Sequence, residues 1–256
     1  MELAGTSAIV TGGASGIGAA SARALTKRGA RCVLIDLNDE LGEALASELG
    51  GLYVKADVAN PDQVQVAVDA AVEMGPLRAL VNAAGIGAAS RTVDRDGNPH
   101  PLDLFEKIIR VNLIGCFNCL RLGAAAMAKT DPVDADGTRG AIVNISSVAS
   151  FDGQIGQAAY SASKGGINSL TLTTARDLSA QGIRVNTITP GLIDTPIYGT
   201  GERAEAFKAK LGENVLFPHR LGTADELASM VAELITNDYM NGEVIRVDGG
   251  IRMPPK

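Results

Sequence analysis

Apolar residues in this chain gather in short runs that alternate with longer stretches of helical spacing. The runs fall at 6–10 (TSAIV), 31–37 (RCVLIDL), 52–58 (LYVKADV), 77–85 (LRALVNAAG), 140–147 (GAIVNISS), 182–191 (GIRVNTITPG) and 243–250 (EVIRVDGG). They lack clean polar alternation, as do strands of a parallel sheet covered on both faces. Between them, 17–29, 39–49, 62–74, 103–128, 158–181, 202–212 and 224–236 read as helices. Val64, Ala67, Val68, Ala71 and Val72, for example, repeat at the spacing of one helical face. The polar segments 86–102 and 129–140 read as loops. Strand and helix in alternation predict an α/β fold: a doubly wound parallel sheet of about seven strands, with right-handed crossovers and helices on both faces. No repeat, low-complexity tract or linker divides residues 1–256, so one domain is expected.

Composition narrows the class. With 46% apolar and 20% charged residues the chain is too apolar for disorder. Thirty Gly against 4% aromatic residues and no Trp suggest tight turns and close helix–sheet contacts. A net charge of −6 argues against a nucleic-acid partner. Cys32, Cys116 and Cys119 do not make a disulfide scaffold and fit a reducing compartment, so a cytoplasmic location is expected. Cys116 and Cys119 form C-x-x-C inside an apolar helical stretch, with no second Cys/His pair to complete a zinc site. His100 and His219 are isolated, and no metal is expected. No unbroken apolar run reaches the roughly 18 to 20 residues of a membrane span, and a strand pattern from residue 6 speaks against a signal peptide.

The first run enters Thr11-Gly12-Gly13-Ala14-Ser15-Gly16-Ile17-Gly18, which then opens a helix. Gly12, Gly16 and Gly18 let the chain turn tightly and let backbone N–H groups, those of Ser15 and Ile17 among them, approach a diphosphate at a helix N-terminus. Such a turn alone is weak, but strand–turn–helix is the context of a Rossmann-like nucleotide site. Asp36 ends the second run, 18 residues after Gly18. A carboxylate there can accept from both hydroxyls of an adenosine ribose and repels a 2′-phosphate, and neither Leu37 nor Ser15 is basic. This favours NAD over NADP. Asp57 and Val58 end the third run, where adenine would lie. Asn82, Ala83 and Gly85 end the fourth, where small residues would admit the nicotinamide half. The nucleotide-binding part is thus about 1–140, and the catalytic and substrate-covering part about 141–256.

Ser147 ends the fifth run, Tyr160 follows 13 residues later, and Lys164 lies four beyond Tyr160. Residues at i and i+4 share a helix face. A free phenol ionises near pH 10, so a neighbouring ammonium that stabilises phenolate would make a usable base at neutral pH. Most Tyr/Lys pairs at this spacing are plain exposed neighbours; Ser147 and the glycine turn give this one its meaning. Ser147 could donate to a substrate oxygen. Gln154 and Gln157 lie between Ser147 and Tyr160 and are candidate substrate contacts, or simple loop amides. Phe207 and Leu211 share a helix face and could cover an acyl chain or merely pack. Arg91, Arg203, Lys208 and Lys210 are the cations available to an anionic substrate.

T-G-G-x-x-G-I-G at 11–18, Asn-Ala-Ala-Gly at 82–85, Asn112, Ser147, Tyr160, Lys164 and Pro190-Gly191, in this order and spacing, resemble the short-chain dehydrogenase/reductase family over essentially the whole chain. The resemblance implies an oxidoreductase acting on CH–OH groups. It implies that Asn112 holds a water linking Lys164 to solvent, and that Tyr160 and Lys164 also contact the nicotinamide ribose. It assigns the carboxamide contact to Thr195, near Pro190, Gly191 and Ile193, and a mobile substrate lid to residues near 192–217. The stretches 148–166, 183–197, 217–228 and 241–253, with insertions at 90–103 and 129–140, are similar to a subgroup that acts on 3-hydroxyacyl-CoA esters and 17β-hydroxysteroids. That likeness implies NAD-dependent oxidation of a short or branched 3-hydroxyacyl-CoA in fatty acid metabolism, by a homotetramer. The alternatives are a steroid or other secondary-alcohol dehydrogenase, a 3-oxoacyl-carrier-protein reductase (which usually wants NADPH, against Asp36), and a catalytically silent NAD-binding scaffold.

Overall fold

The computed structural model describes residues 1–199 and 201–255. Thr200, within the stretch expected to cover substrate, and Lys256 lie outside the described residues, as does the side chain of Ile197. Seven strands form one sheet: β1 (Ser7–Thr11), β2 (Arg31–Asp36), β3 (Leu52–Lys55), β4 (Leu77–Asn82), β5 (Gly140–Ile145), β6 (Ile183–Pro190) and β7 (Val244–Val247). Their order is β3-β2-β1-β4-β5-β6-β7, and every neighbouring pair is parallel. The helices are α1 (Gly16–Thr26), α2 (Asp39–Leu49), α3 (Pro61–Met74), α4 (Leu102–Ile109), α5 (Gly115–Met127), α6 (Ala158–Leu178), α7 (Glu202–Gly212) and α8 (Ala224–Thr236).

The unalternating runs have their physical reason in this arrangement. Strands β1, β4, β5 and β6 are buried at every residue, because helices cover both faces. Val10, Leu34, Val81 and Val143 point to one side, against Leu25, Leu45, Leu227 and Val231. Ile9, Ile35, Leu80 and Ile142 point to the other, against Val64, Val68, Leu120 and Ala124. The edge strands β3 and β7 are only partly covered. From β1 the chain winds one way and from β4 the other, which opens a crevice outside the carboxyl ends of these two strands.

Local chemistry sets the element ends. The side chain of Asn38 accepts from the Leu41 N–H to start α2, and Asn60 caps α3 ahead of Pro61. Thr223 and Glu226 form a reciprocal capping box on α8. Arg220 grips the same Glu226 through both carboxylate oxygens, and these contacts pull its carboxyl down to about 2. Several elements end earlier than the sequence pattern predicts, three of them for a visible reason. Strand β3 stops at Lys55 because Asp57 folds back, its Oδ1 accepting from the Ala59 N–H. Strand β5 stops at Ile145, and Ser147 instead caps a short 3-10 turn, Val148–Ser150. Helix α6 ends at Leu178 in a 3-10 turn closed by Gly182 at φ 68°.

The expected helix 103–128 is one continuous 26-residue helix, Leu102–Met127, with a π turn at Arg110–Ile114 joining α4 to α5. By length and composition this helix could cross a membrane, contrary to the expectation from unbroken apolar runs. Half of its most apolar window is buried inside the protein, with Leu120 and Ala124 in the core beneath the sheet.

Arg184, the second residue of β6, is buried and donates to the carbonyls of Leu234, Ile235 and Met240 at 2.7–2.9 Å. It thereby satisfies the C-terminal end of α8. Arg184→Ala strands those carbonyls, and it is expected to lower unfolding stability by roughly 2–4 kcal/mol in a urea titration.

Candidate active site

A groove of about 390 Å³ runs along the carboxyl ends of β1 to β4. Gly12, Ser15, Gly16, Ile17 and Gly18 form one wall. Gly12 sits at φ 61°, and a Cβ there would lie 2.9 Å from the Ala84 backbone. A Cβ on Gly18 would overlap the Gly12 carbonyl. These glycines hold the turn tight against β4 and leave backbone N–H groups facing the groove. Unlike α2, α3 and α8, helix α1 has no side-chain cap and no acidic residue in its first turn. Its positive end is free for an anion.

Asp36 and Leu37 line the next part of the groove, then Asp57 and Val58, then Ala83 and Gly85. The Asp36 carboxylate accepts from Ala14 N–H at 3.0 Å, Leu37 N–H at 2.7 Å and Asn38 N–H at 3.1 Å. Three donors fix its direction. No Lys or Arg lines this groove among the described residues. Thr195 closes the far wall with Pro196, and its Cγ2 would lie 3.3 Å from a Cβ on Gly16.

The remaining expected cofactor residues stand apart. Asn82 is buried and donates to Asn144 Oδ1 at 2.9 Å, joining β4 to β5. Pro190, Gly191 and Ile193 do not line the groove. Gly191 is crowded by the Asp248 backbone, and Ile193 is buried.

Asn112, Lys164 and Tyr160 lie around Gly85 and Gly87, at the β4 end of the groove, though neither they nor Ser147 are among its lining residues. Buried Lys164 donates from Nζ to the Ile145 carbonyl at 2.8 Å, and its Nζ lies 5.8 Å from the centre of the Tyr160 ring. Ser146 Oγ donates to the Lys164 carbonyl, which ties α6 to the end of β5. Asn112 sits in the π turn and is fully buried. Its Oδ1 accepts from Ile86 N–H at 2.8 Å, and its Nδ2 donates to Ile86 O and to Ser163 Oγ. A Cβ on Gly85 would stand 3.3 Å from Asn112 Oδ1 and 3.5 Å from Lys164 Nζ. Gly85 therefore leaves both polar tips facing the groove it lines. Half-buried Ser147 accepts from Ala149 N–H, and its hydroxyl hydrogen is left to a further acceptor.

Gln157 Oε1 accepts from Gln154 N–H, while Gln154 Nε2 donates to the Pro254 carbonyl, so Gln154 serves the loop. His100 Nδ1 lies 2.7 Å from its neighbour's carbonyl and His219 Nδ1 2.8 Å from Val215 O, both outside the groove. Lys208 is held by Asp194 and Glu205 at 2.8 and 2.9 Å. Arg91, Arg203 and Lys210 form no ion pair among the described residues. All three cysteines are free and buried, and burial pushes the Cys116 thiol up to about 12.

Two contributors escape sequence reasoning. Thr11 Oγ1 accepts from the Ala83 and Ala84 N–H groups and so positions the β4 end; a strand-end Thr carries no signal of this by itself. Tyr198 packs against Phe207 with ring centres 6.2 Å apart. Burial pushes its phenol up, and the Tyr160 phenol and Asp194 carboxylate add to the shift, which places it in the neighbourhood of Tyr160.

Comparison with known proteins agrees with this geometry. The family model for short chain dehydrogenase matches residues 6–206. The chain is 48% identical to a 3-hydroxyacyl-CoA dehydrogenase type-2 of Bos taurus, over 98% of this chain and 97% of that protein. It is 38% identical to a 3-alpha-(or 20-beta)-hydroxysteroid dehydrogenase of Mycobacterium tuberculosis, over 97% of this chain and 90% of that one. The crystal structure of a 3-hydroxyacyl-CoA dehydrogenase type-2 from Mycobacterium avium superposes with a TM-score of 0.94 at 47% identity, covering 100% of this chain and 99% of that one.

Proposed function

Because the chain belongs to the short chain dehydrogenase family, we propose that it is an NAD-dependent 3-hydroxyacyl-CoA dehydrogenase, oxidising a short or branched 3-hydroxyacyl-CoA to the 3-oxoacyl-CoA. The carrying observation is that Gly85, at the end of the glycine-walled groove, stands beside Asn112 and Lys164, with Gly87 next to the Tyr160 ring. The acyl-CoA part rests on near-full-length similarity to proteins of that name. The steroid enzyme is a more distant relative, at 38% identity.

The groove fits a dinucleotide by its glycine cradle, its uncapped helix end and the Asp36 carboxylate at the end of β2. Gly12 to Gly18 would hold the diphosphate, Asp36 the adenosine ribose, Asp57 and Val58 the adenine, and Ala83, Gly85 and Thr195 the nicotinamide half. Among the described residues no Lys or Arg lines the groove to hold a 2′-phosphate, which supports NAD over NADP. Bound in this way, NAD⁺ supplies a hydride acceptor. Ser147 donates its hydroxyl hydrogen to the substrate oxygen and holds it beside Tyr160. Tyr160 takes the alcohol proton, with Lys164 Nζ 5.8 Å from its ring centre on the same helix face. Asn112 Oδ1 holds Ile86 N–H and lies with Lys164 Nζ beside Gly85, where it can support a water relaying the proton outward.

Arg91, Arg203 and Lys210 remain for the CoA phosphates; Lys208 is already paired. Exposed Leu102, Ile114 and Phe117 on the long helix and Leu172 on α6 support burial against further copies of the chain, as a homotetramer would provide. Three free buried thiols suit the reducing cytoplasm.

Two outcomes test this reading. Initial rates with 3-hydroxybutyryl-CoA, its 2-methyl analogue and a 17β-hydroxysteroid should favour the CoA esters; oxidation of the steroid alone would overturn the substrate assignment. Gly18→Ala drives a methyl into the Gly12 carbonyl. It should weaken NADH binding by about tenfold or more in a fluorescence titration.

A further inference from the structure

The segment between Ser147 and Tyr160 has no regular structure from the end of the turn Val148–Ser150 to the start of α6, yet it separates the two residues proposed to hold the substrate oxygen. It is held from outside. The Arg246 guanidinium on β7 donates to Asp152 Oδ2 at 2.7 Å, to Asp248 Oδ2 at 2.6 Å and to the Ile251 carbonyl at 2.8 Å. It also lies 5.5 Å from the centre of the Phe151 ring. Asp248 in turn accepts from Gly250 N–H and from Arg252. Further along, Ile155 N–H donates to the Pro255 carbonyl and Gln154 Nε2 to the Pro254 carbonyl, both at 3.0 Å. Buried Val148 and Ile251 pack in one cluster with Val215.

We propose that Arg246 is a positioning residue for substrate: it binds 248–255 to 151–157 as a strap that fixes Ser147 and Gln157 relative to Tyr160. The inference rests on the reading of Ser147 and Tyr160 as the pair that holds the alcohol. The link to Ser147 is direct. Asp152 N–H donates to the Val148 carbonyl at 2.8 Å, and Ser147 Oγ caps the same turn at Ala149. A shift of Asp152 is therefore carried into the turn that orients the Ser147 hydroxyl. The link to Gln157 runs through Gln154, whose N–H the Gln157 side chain accepts. Asp152 and Asp248 are largely shielded from water, so their pairing with one cation is not dissipated by solvent. Arg246 also holds the Asp152 carboxyl below the usual carboxylate range, which keeps the strap charged at neutral pH. None of these groups lines the nucleotide groove.

The test compares wild type, Asp152→Asn and Arg246→Met by amide hydrogen exchange without ligands and by steady-state kinetics. The strap predicts that exchange at 154–157 speeds up about tenfold in both variants while amides of α1 keep their rates. It predicts that kcat/KM for the oxidised substrate falls at least about fivefold, a loss typical of small misplacement, with NADH affinity held within about twofold. Unchanged exchange at 154–157 in Asp152→Asn, or kcat/KM within about twofold of wild type, overturns the proposal. Asp152→Asn leaves the bonds of Arg246 to Asp248 and Ile251 in place, so it decides the matter even if Arg246→Met does not fold. The exchange arm needs no substrate, and the kinetic arm uses whichever alcohol the wild type oxidises. A wrong acyl-CoA assignment would therefore show itself separately.

Discussion

Tyr160→Phe is expected to lower kcat by about a thousandfold or more and to leave NADH affinity within about threefold of wild type. The substitution removes one oxygen from a half-buried ring and nothing else. The ring's packing beside Gly87 and its distance to Lys164 Nζ are kept. What is lost is the group proposed to take the proton as the alcohol is oxidised. His100 and His219 both point their Nδ1 at backbone carbonyls away from the groove, and no other described imidazole exists to substitute. Stopped-flow turnover together with an NADH titration separates the two effects. A variant that keeps more than about a tenth of wild-type kcat would place the base elsewhere.

Asp36→Asn is expected to shift the preference for NAD⁺ over NADP⁺ by about a hundredfold or more, read as the ratio of the two kcat/KM values. The amide keeps an oxygen that can accept from Leu37 and Asn38 N–H, so the turn survives while the charge goes. Two consequences add in the ratio. A hydrogen bond from ribose to a charged acceptor is worth about 1.5–3 kcal/mol, and an amide recovers only part of it. The repulsion of a 2′-phosphate by a carboxylate about 4 Å away, near 4 kcal/mol at a surface-like dielectric, disappears. NADP⁺ should gain more than NAD⁺ loses, because among the described residues no cation lines the groove to compensate in the wild type. An unchanged ratio would mean that Asp36 merely ties Ala14, Leu37 and Asn38 together.

The fold was legible because its signals are local and repeated. Each central strand is an apolar run, and Gly12, Gly16 and Gly18 occur at a spacing that only a tight strand-to-helix turn uses. The Tyr160–Lys164 pair was legible for the same reason, since four residues are one helical turn. What the pattern misplaced were strand ends decided by a single side chain. Asp57 terminates β3 by bonding to Ala59, and Ser147 leaves β5 to cap a 3-10 turn. Both keep the site neighbourhood that spacing suggested, two residues beyond the sheet.

Illegible features were those made by distant partners. Asn112 could be picked out by resemblance, but its grip on both polar groups of Ile86 depends on a π turn that no local pattern announces. Lys208 looked like a free cation until Asp194, from the segment beside Thr195, proved to hold it. Arg246 and Asp152 lie 94 residues apart, and nothing in either stretch signals that they meet. Asn82 is expected beside the nicotinamide half, and its buried amide pair with Asn144, which joins β4 to β5, has no signal in either stretch.

If the chain oxidises a 3-hydroxyacyl-CoA as proposed, 3-hydroxybutyryl-CoA deuterated at C3 should pass its label to the nicotinamide cofactor. With NAD⁺ and the wild-type chain, mass spectrometry should find reduced cofactor one mass unit heavier, formed in step with acetoacetyl-CoA, and no label in water. Label released to solvent, or no reduced cofactor from any 3-hydroxyacyl-CoA, would overturn the proposal.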